Sequence, residues 1–130
     1  MEELIGKLAA IERDFANKKG SFSLFALLLR EDALPDRWDL VVAGPWMDDD
    51  IHAGQREIAE VVQSRLKSEE VIRLSFVVAV NSTDPRVREI NREISVEHGL
   101  EKFYHREFFE MPMDKAIFIT SRNLDSGVAA

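Results

Sequence analysis

The chain contains no cysteine among its 130 residues. Without thiols it can form no disulfide or thiolate zinc site, and it has no cysteine nucleophile. It also lacks a long apolar run, since the longest, from Leu24 to Leu29, is far shorter than the roughly 20 residues that span a bilayer. The acidic start, Met1-Glu2-Glu3-Leu4, does not resemble a secretory signal. These absences predict a soluble, cytoplasmic protein that does not enter membranes.

Positive charge is also in deficit. Lysine and arginine number 17 against 24 aspartates and glutamates, which gives a net charge of −7 and a pI near 5.0. Such a surface repels phosphate backbones. Arg86, Arg88 and Arg92 do not form a cationic stripe, because Glu89 and Glu93 lie between them. The sequence therefore disfavours nucleic acid as a partner.

Several catalytic signatures are missing as well. The chain has no G-x-S-x-G elbow, no glycine-rich loop before Lys-Ser or Lys-Thr, and no G-x-G-x-x-G fingerprint. Its composition, with 45% apolar and 32% charged residues, is that of a globular domain. We expect one α/β domain over residues 1–121 and a loosely ordered C-terminal tail over 122–130.

Hydrophobic periodicity predicts an alternation of helices and strands. The predicted elements are a helix at 2–18, strands at 22–29 and 38–44, a helix at 51–66, a strand at 73–80, a helix from 85, an ambiguous strand within 103–113 and a strand at 115–120. We expect the first two strands to pair as an antiparallel hairpin. The order α-β-β-α-β-α-(β)-β predicts an α/β fold with a mixed sheet of four or five strands and one right-handed β-α-β crossover.

The run from Leu74 to Val80 is the clearest strand. It carries no charge, and both alternating sets of its side chains are largely apolar. The pattern predicts a strand buried on both faces, with Val78 among the most buried residues. A helix start follows, where Thr83 or Asp84 acts as the N-cap and Pro85 loses no hydrogen bond. The buried stripe and C-terminal end of this helix are expected at Val87, Ile90, Ile94 and Gly99.

Polar residues follow two of the predicted strands. If those strands are parallel neighbours, their following loops meet at one edge of the sheet, where α/β proteins favour ligands. The residues gathered there would be Asp48, Asp49, Asp50, His52, Asn81, Ser82, Thr83 and Asp84. Helix starts at this edge suit a small anion, held by Asn81, Ser82 and Thr83. Trp46 lies beside them and either lines a pocket or caps the core.

The aspartates at this edge have two interpretations. Before a helix, such a cluster is first of all an N-cap whose charge complements the helix dipole. Alternatively, Asp48, Asp49 and Asp84 hold Mg²⁺ or Mn²⁺ through hard oxygen ligands, and His52 is the general base. That arrangement would make the protein a metal-assisted hydrolase or phosphoryl-transfer enzyme.

Aromatic and charged residues are densest near the C-terminal end of the domain. The segment contains Phe103, Tyr104, His105, Arg106 and Phe108. Strand alternation would send Phe103 to one face and Phe108 to the other. An edge strand can bury only one face, so the other would expose aromatic area beside arginine, a composition typical of interface anchors. We therefore expect a homodimer or a protein partner at this segment.

The leading functional hypothesis follows from what is missing. The sequence shows no activated nucleophile, no histidine–carboxylate pair at a recognisable spacing and no complete set of metal ligands. His98, which precedes Gly99, is expected to complement a helix C-terminus. We therefore expect a small non-catalytic interaction or regulatory domain that self-associates. The metal-assisted enzyme is the alternative.

Overall fold

The computed structural model describes residues 1–124 as a mixed sheet with helices on both faces. The elements in chain order are α1 (Glu2–Lys18), β1 (Leu24–Arg30), β2 (Trp38–Ala43), a 3₁₀ turn (Pro45–Met47), α2 (Ile51–Arg65), α3 (Ser68–Val71), β3 (Leu74–Ala79), α4 (Pro85–Glu93), β4 (Glu101–Phe108) and β5 (Met111–Ser121). The predicted α/β class and order of elements are confirmed.

The five strands lie side by side in the order β3-β2-β1-β5-β4. Strands β1 and β2 pair antiparallel, as the predicted hairpin requires, with Leu24 opposite Ala43. Strands β2 and β3 are parallel, with Leu40 opposite Val77. Strand β5 lies antiparallel to both β1 and β4. The sheet therefore ends in β3 on one side and in β4 on the other.

Each face of the sheet has its own core. Leu8 of α1 and Ile58 of α2 are fully buried against Phe25 of β1. On the opposite face, Val87 of α4 packs with Phe118 of β5. Each helix buries only one stripe, so the apolar spacing read from the sequence corresponds to a real contact surface. The strongly apolar β1 is central because both of its faces are covered.

Trp46 caps the first of these cores. Its ring stacks on Phe15 of α1, with centroids 5.8 Å apart and planes at 9°, and meets Phe22 edge-on. Gly20 has φ +144°, a conformation that side-chain-bearing residues rarely adopt, and a Cβ there would lie 3.3 Å from the indole. Of the two roles predicted for Trp46, these contacts favour packing over lining a pocket.

The prediction that β3 is buried on both faces is wrong. Phe76 is 62% exposed, Ser75 is also exposed, and Val78 is only half-buried. The reason is topological, since in the part of the chain that the structure describes β3 is an edge strand and pairs with β2 alone. Val78 packs against the α4 side of the sheet and Leu74 against the α2 side, whereas Ser75 and Phe76 between them lie uncovered. An apolar run is therefore not sufficient evidence for a central strand.

The start of α4 was predicted correctly, but its end was not. Asp84 is the N-cap and Pro85 the first helical residue. The helix ends at Glu93, and Ile94 is already extended, with φ −122° and ψ 121°. His98 and Gly99 therefore lie in an irregular segment rather than at a helix end. Val87, Ile90 and Ile94 are buried as predicted.

The ambiguous aromatic segment forms the edge strand β4, and β5 begins earlier than expected, at Met111. The two strands are joined by Phe109 and Glu110, whose φ angles are 54° and 62°. Positive φ at both central residues is what a type I′ hairpin turn requires. Pro112, which appeared to break the segment, lies opposite Glu107 within the hairpin.

Two expectations concern membranes and the tail. In residues 1–124, no helix combines the length and apolar character that crossing a bilayer demands.

The predicted loose tail begins at Arg122, whose backbone N–H donates to the carbonyl of Ser23 at 3.0 Å. The remainder of that tail, from residue 125 onward, lies outside the described residues.

Candidate functional site

The loops after β2 and β3 meet at one edge of the sheet, as the sequence predicts. Asp48, just after the 3₁₀ turn, accepts a hydrogen bond from the backbone N–H of Ser82 at 2.9 Å. Its second carboxylate oxygen accepts from the Ser82 hydroxyl. The loop that precedes α2 is thereby tied to the loop that precedes α4. Asp48 joins elements 34 positions apart in the chain.

The other predicted ligands of the β3–α4 loop organise the helix start. Asn81 Oδ1 accepts from the backbone N–H of Thr83 at 2.9 Å and from its hydroxyl. Asp84 Oδ1 accepts from the backbone N–H of Arg86 at 2.8 Å, and Arg86 Nη2 lies 2.9 Å from Asp84 Oδ2. These bonds hold the pKa of Asp84 below its usual value. Capping therefore accounts for the Asp84 carboxylate.

The remaining candidate residues at this edge do not form a shared site. Asp50 is the N-cap of α2 and accepts from the backbone N–H of Ala53 at 3.1 Å. Asp49 and His52 are exposed. Across residues 1–124, no group of three histidine, cysteine, aspartate or glutamate side chains is placed to hold a metal ion. The Mg²⁺ or Mn²⁺ site of Asp48, Asp49 and Asp84, with His52 as base, stays a prediction.

Phe103 and Phe108 of β4, predicted on opposite faces of the sheet, lie on the same face. The rings of Phe103 and Phe108 both contact Phe118 edge-on, with centroids at 5.7 Å and 5.1 Å. The predicted division between faces is wrong because His105, with φ 55°, interrupts the strand alternation. Arg106 lies over both rings, 4.8 Å from the centroid of Phe103 and 5.3 Å from that of Phe108.

Little of the predicted β4 interface remains free after this packing. Phe108 is buried and Phe103 is half-buried. Tyr104 is 57% exposed, and the exposed His105 has its Nδ1 3.4 Å from Asp114 Oδ1. The aromatic density that suggested an interface is therefore largely part of the core on the α4 side. Tyr104 is the aromatic residue of β4 that stays available to a partner.

A second polar cluster was not predicted. Glu12, on α1, has no exposed surface. One of its carboxylate oxygens lies 2.7 Å from His98 Nδ1, and the other accepts from the Thr120 hydroxyl at 3.0 Å. The same hydroxyl oxygen accepts from the backbone N–H of His98 at 3.1 Å. A buried carboxylate, an imidazole and a hydroxyl thus meet where α1, the segment after α4 and β5 come together.

A β-bulge near the end of β5 builds this cluster. Thr120 lies opposite Phe25, but Phe118 lies opposite Ala26, so Ile119 is the extra residue. Thr120 consequently faces α1 and its buried Glu12, and the next residue, Ser121, faces α4. A bulge re-aims side chains in this way and is common beside functional sites.

The hydroxyl of Ser121 belongs to a network on the α4 face. It accepts from the Asn91 amide at 3.0 Å and donates to the carbonyl of Ile94 at 2.8 Å. Asn91 also donates to the carbonyl of Ser23 at 2.9 Å. The bulge therefore directs one hydroxyl to each layer of helices, and each hydroxyl both donates and accepts a hydrogen bond.

One sequence pattern could have indicated the cluster of Glu12, His98 and Thr120. Glu12 lies four positions after Leu8 and next to Ile11, so it falls on the buried stripe of α1. A carboxylate on an apolar stripe needs a buried partner. Its partner could not be read from spacing, because His98 lies 86 positions away in a segment without regular structure.

Comparisons with known proteins add no candidate activity. The chain matches no protein-family model, no curated protein and no solved structure.

Proposed function

We propose that this protein acts through contacts between protein chains, and that it self-associates by pairing β3 with β3 of a second copy. The observation that carries the proposal is the exposed edge at β3. Within residues 1–124, it is the one strand that contains no charged residue. Phe76 is 62% exposed there. An uncharged edge strand with an exposed aromatic side chain favours the addition of another strand.

Hydrogen bonds around β3 indicate which of its backbone groups face away from β2 and can pair with an added strand. The N–H of Val80 donates inward to the carbonyl of Val42 at 2.9 Å. The N–H of Ala79 points the other way and donates to Gln55 Oε1 at 3.0 Å. Because these directions alternate along a strand, Val77 also presents its N–H and carbonyl to the outside. Gln55 covers one end of the edge, so pairing would centre on Phe76 and Val77.

A groove beside this edge offers room for an added strand. It has a volume of about 250 Å³ and runs between α2 and β3. Its apolar lining includes Ala59, Val62, Val71, Leu74 and Val77. A strand lying along β3 would cover these side chains while its backbone bonded to Val77. Burial of apolar area adds to the stability of such pairing by about 25 cal/mol per Å².

Charge favours a second copy as the occupant. Each copy carries a net charge of −7, so a contact between two copies costs least where no like charges face each other. The other strands place charged side chains at their ends or along their length, for example Arg30 in β1 and Asp39 in β2. Two β3 strands brought together place no like charges opposite each other, a pairing that is otherwise destabilising.

Light scattering at micromolar concentration tests the proposal. We expect the wild type to be a dimer and Phe76→Lys to be a monomer, because the substitution puts two cations at the contact. Tyr104→Lys is the matched control, since Tyr104 is 57% exposed on the opposite edge against 62% for Phe76. It should remain a dimer. Urea unfolding at a protein concentration low enough for the wild type to be monomeric should show that both variants keep their stability within about 0.5 kcal/mol.

The absence of cysteine allows a direct check of the contact. In Phe76→Cys, the introduced thiol is unique, and oxidation should give a covalent dimer in high yield. Tyr104→Cys should not give one under the same conditions. A monomeric wild type would overturn the proposal. If Tyr104→Lys dissociates the dimer and Phe76→Lys leaves it intact, the interface lies at β4, where the sequence alone predicts it.

A further inference from the structure

Glu12 occupies a position that needs an explanation beyond packing. Its carboxylate is fully buried between α1 and the sheet, and burial of a carboxylate is costly unless hydrogen bonds satisfy it. Here His98 and Thr120 satisfy one oxygen each. A glutamine or leucine would fill the same space without charge. The chain instead has a carboxylate 2.7 Å from an imidazole nitrogen.

His98 is held in place by main-chain and side-chain bonds together. Its φ of 51° is uncommon for any residue other than glycine, although histidine is among those that tolerate it best. Its N–H donates to Thr120 Oγ1, and the next N–H, of Gly99, donates to the carbonyl of Ile119 at 3.0 Å. Such conformations persist where surrounding structure fixes them, and they cluster at functional sites.

The second ring nitrogen faces the surface. A carboxylate accepts and never donates when ionised, so the bond to Glu12 assigns the proton to Nδ1 and the lone pair of the neutral ring to Nε2. The side chain of His98 is 30% exposed. Glu97 Oε2 lies 4.0 Å from Nε2, and Arg122 is bound to the same oxygen of Glu97. A proton acceptor and a guanidinium therefore lie close together at the surface.

We propose that Glu12 and His98 form a proton-transfer site for a small ligand that carries a hydroxyl group and an oxyanion. The oxyanion, a carboxylate or a phosphate, would bind Arg122 in place of Glu97, since guanidinium matches both groups. In the step itself, the O–H bond of the ligand breaks, its proton bonds to the Nε2 lone pair, and the electron pair of the broken bond stays on the ligand oxygen. The imidazolium so formed is stabilised by Glu12, which is the positioning residue, and His98 is the catalytic residue.

A purely structural role would predict a different chemical behaviour. If His98 only satisfies a buried carboxylate, its Nε2 should react as any partly covered imidazole does. If the carboxylate activates the ring, Nε2 should react faster than more exposed histidines. His105 is the internal control, because its Nδ1 is 3.4 Å from Asp114 and its side chain is 76% exposed. The Asp114 side chain is 46% exposed whereas that of Glu12 is fully buried, so water screens the influence of Asp114 far more.

Acylation by diethyl pyrocarbonate measures this difference on the intact chain. Nε2 attacks one carbonyl carbon of the reagent, an N–C bond forms and the C–O bond to the other half breaks. That half leaves as ethyl carbonate, takes up the ring proton and decomposes to ethanol and carbon dioxide. Mass spectrometry of peptides then gives a separate rate for His52, His98 and His105. We expect His98 to react about tenfold faster than His105 despite its lower exposure.

Two variants and one probe complete the test. In Glu12→Gln, His98 should slow to the rate of His105. Inorganic phosphate should slow acylation of His98 in the wild type but not in Arg122→Gln. Equal rates for His98 and His105 in the wild type would overturn the proposal whether or not Glu12→Gln folds. Fast acylation that phosphate leaves unchanged would overturn the oxyanion class of the ligand.

Discussion

The two edges of the sheet reverse the roles that their sequences suggest. Strand β3 is uncharged, yet Ser75 and Phe76 lie open to solvent, Phe76 with 62% of its surface exposed. Strand β4 is dense in charge, yet Phe108 is buried and packs with Phe103 and Phe118. Arg106 lies over this aromatic group while remaining exposed itself. A charged side chain with a long stem can cover a core, and an apolar strand can lack a cover.

Apolar residues in a sequence can thus belong to the core of the chain itself or to a surface that the chain leaves exposed. On β4, Phe103 and Phe108 pack into the core on the α4 side, and Arg106 of the same chain covers them. On β3, apolar residues remain uncovered, and a second chain would gain by covering them. Aromatic composition alone did not distinguish these cases, because the strand order β3-β2-β1-β5-β4 decides which strands have a neighbour.

The largest expected effect comes from comparing equivalent aromatic truncations on the two edges. Phe108→Ala removes a buried ring from the cluster with Phe103 and Phe118, and should lower the free energy of unfolding by about 3–5 kcal/mol. Phe76→Ala removes a ring that is mostly in water, and should change it by about 0.5 kcal/mol in the monomer. Urea unfolding at low protein concentration measures both. Equal losses would show that the two edges are covered alike.

A second test weakens α4, the helix that packs against residues from both edges. Asp84→Ala removes the N-cap and should cost about 1 kcal/mol, whereas Asp84→Asn keeps the capping oxygen and should cost less. Hydrogen exchange should accelerate at Val78 of β3 and at Phe103 of β4, since both pack into the cluster of α4. Acceleration on one side alone would mean that α4 supports a single edge.

The same cap predicts a dependence on pH. The hydrogen bonds from Arg86 lower the pKa of Asp84 in the folded state from its usual 3.8. A lowered folded-state pKa means that the ionised form stabilises the fold above the unfolded pKa, and that this contribution is lost as pH falls through the folded value. The stability difference between wild type and Asp84→Asn should therefore shrink as pH drops below 3.8. A constant difference would contradict the ion pair.

A third test asks how much the arginine cover contributes to β4. Arg106→Gln removes the cation–π contacts with Phe103 and Phe108 and the ion pair with Glu93 at 3.1 Å. The expected loss of unfolding free energy is about 1 kcal/mol, because the charged groups of Arg106 and Glu93 are exposed. Arg106→Lys should recover only part of it. No loss in either variant would mean that the aromatic cluster needs no cover.

The smallest effect concerns the turn that connects β4 to β5. Glu110 has a φ of 62° and is exposed, so a glycine there would relieve the strain of a left-handed conformation. Glu110→Gly should raise the free energy of unfolding by about 0.5–1 kcal/mol. Glu107→Gly in the neighbouring strand is the control and should lower it. A Glu110→Gly variant that is less stable would mean that its carboxylate matters more than its backbone.

Local features of the fold were predictable because neighbouring residues determine them. The stripe of Leu4, Leu8 and Ile11 defined α1, and Asp84 before Pro85 defined the start of α4. The meeting of the loops at Asp48 and Ser82 followed from the parallel pairing of β2 and β3. Each of these inferences needs only spacing along the chain and the geometry of a parallel pair.

Other features depend on residues that are distant in the sequence. The exposure of Phe76 depends on β3 having no second neighbour within residues 1–124, which no pattern within β3 encodes. The β4–β5 hairpin turns at Phe109 and Glu110, whereas Asn-Gly or Asp-Gly is the usual signal for such a turn. Glu12 and His98 form their bond only because the bulge at Ile119 and the end of α4 bring them together.

The bulge at Ile119 also constrains how the last strand can change in length. Thr120 and Ser121 serve opposite layers of helices because one extra residue in β5 precedes them. A substitution upstream in the strand can be absorbed by repacking of neighbouring side chains. Deletion of a single residue between Met113 and Ile119 would instead exchange the faces of the two hydroxyls. Glu12 would then lose its bond from Thr120 and Asn91 its bond to Ser121, so the number of residues in β5 is as tightly constrained as their identity.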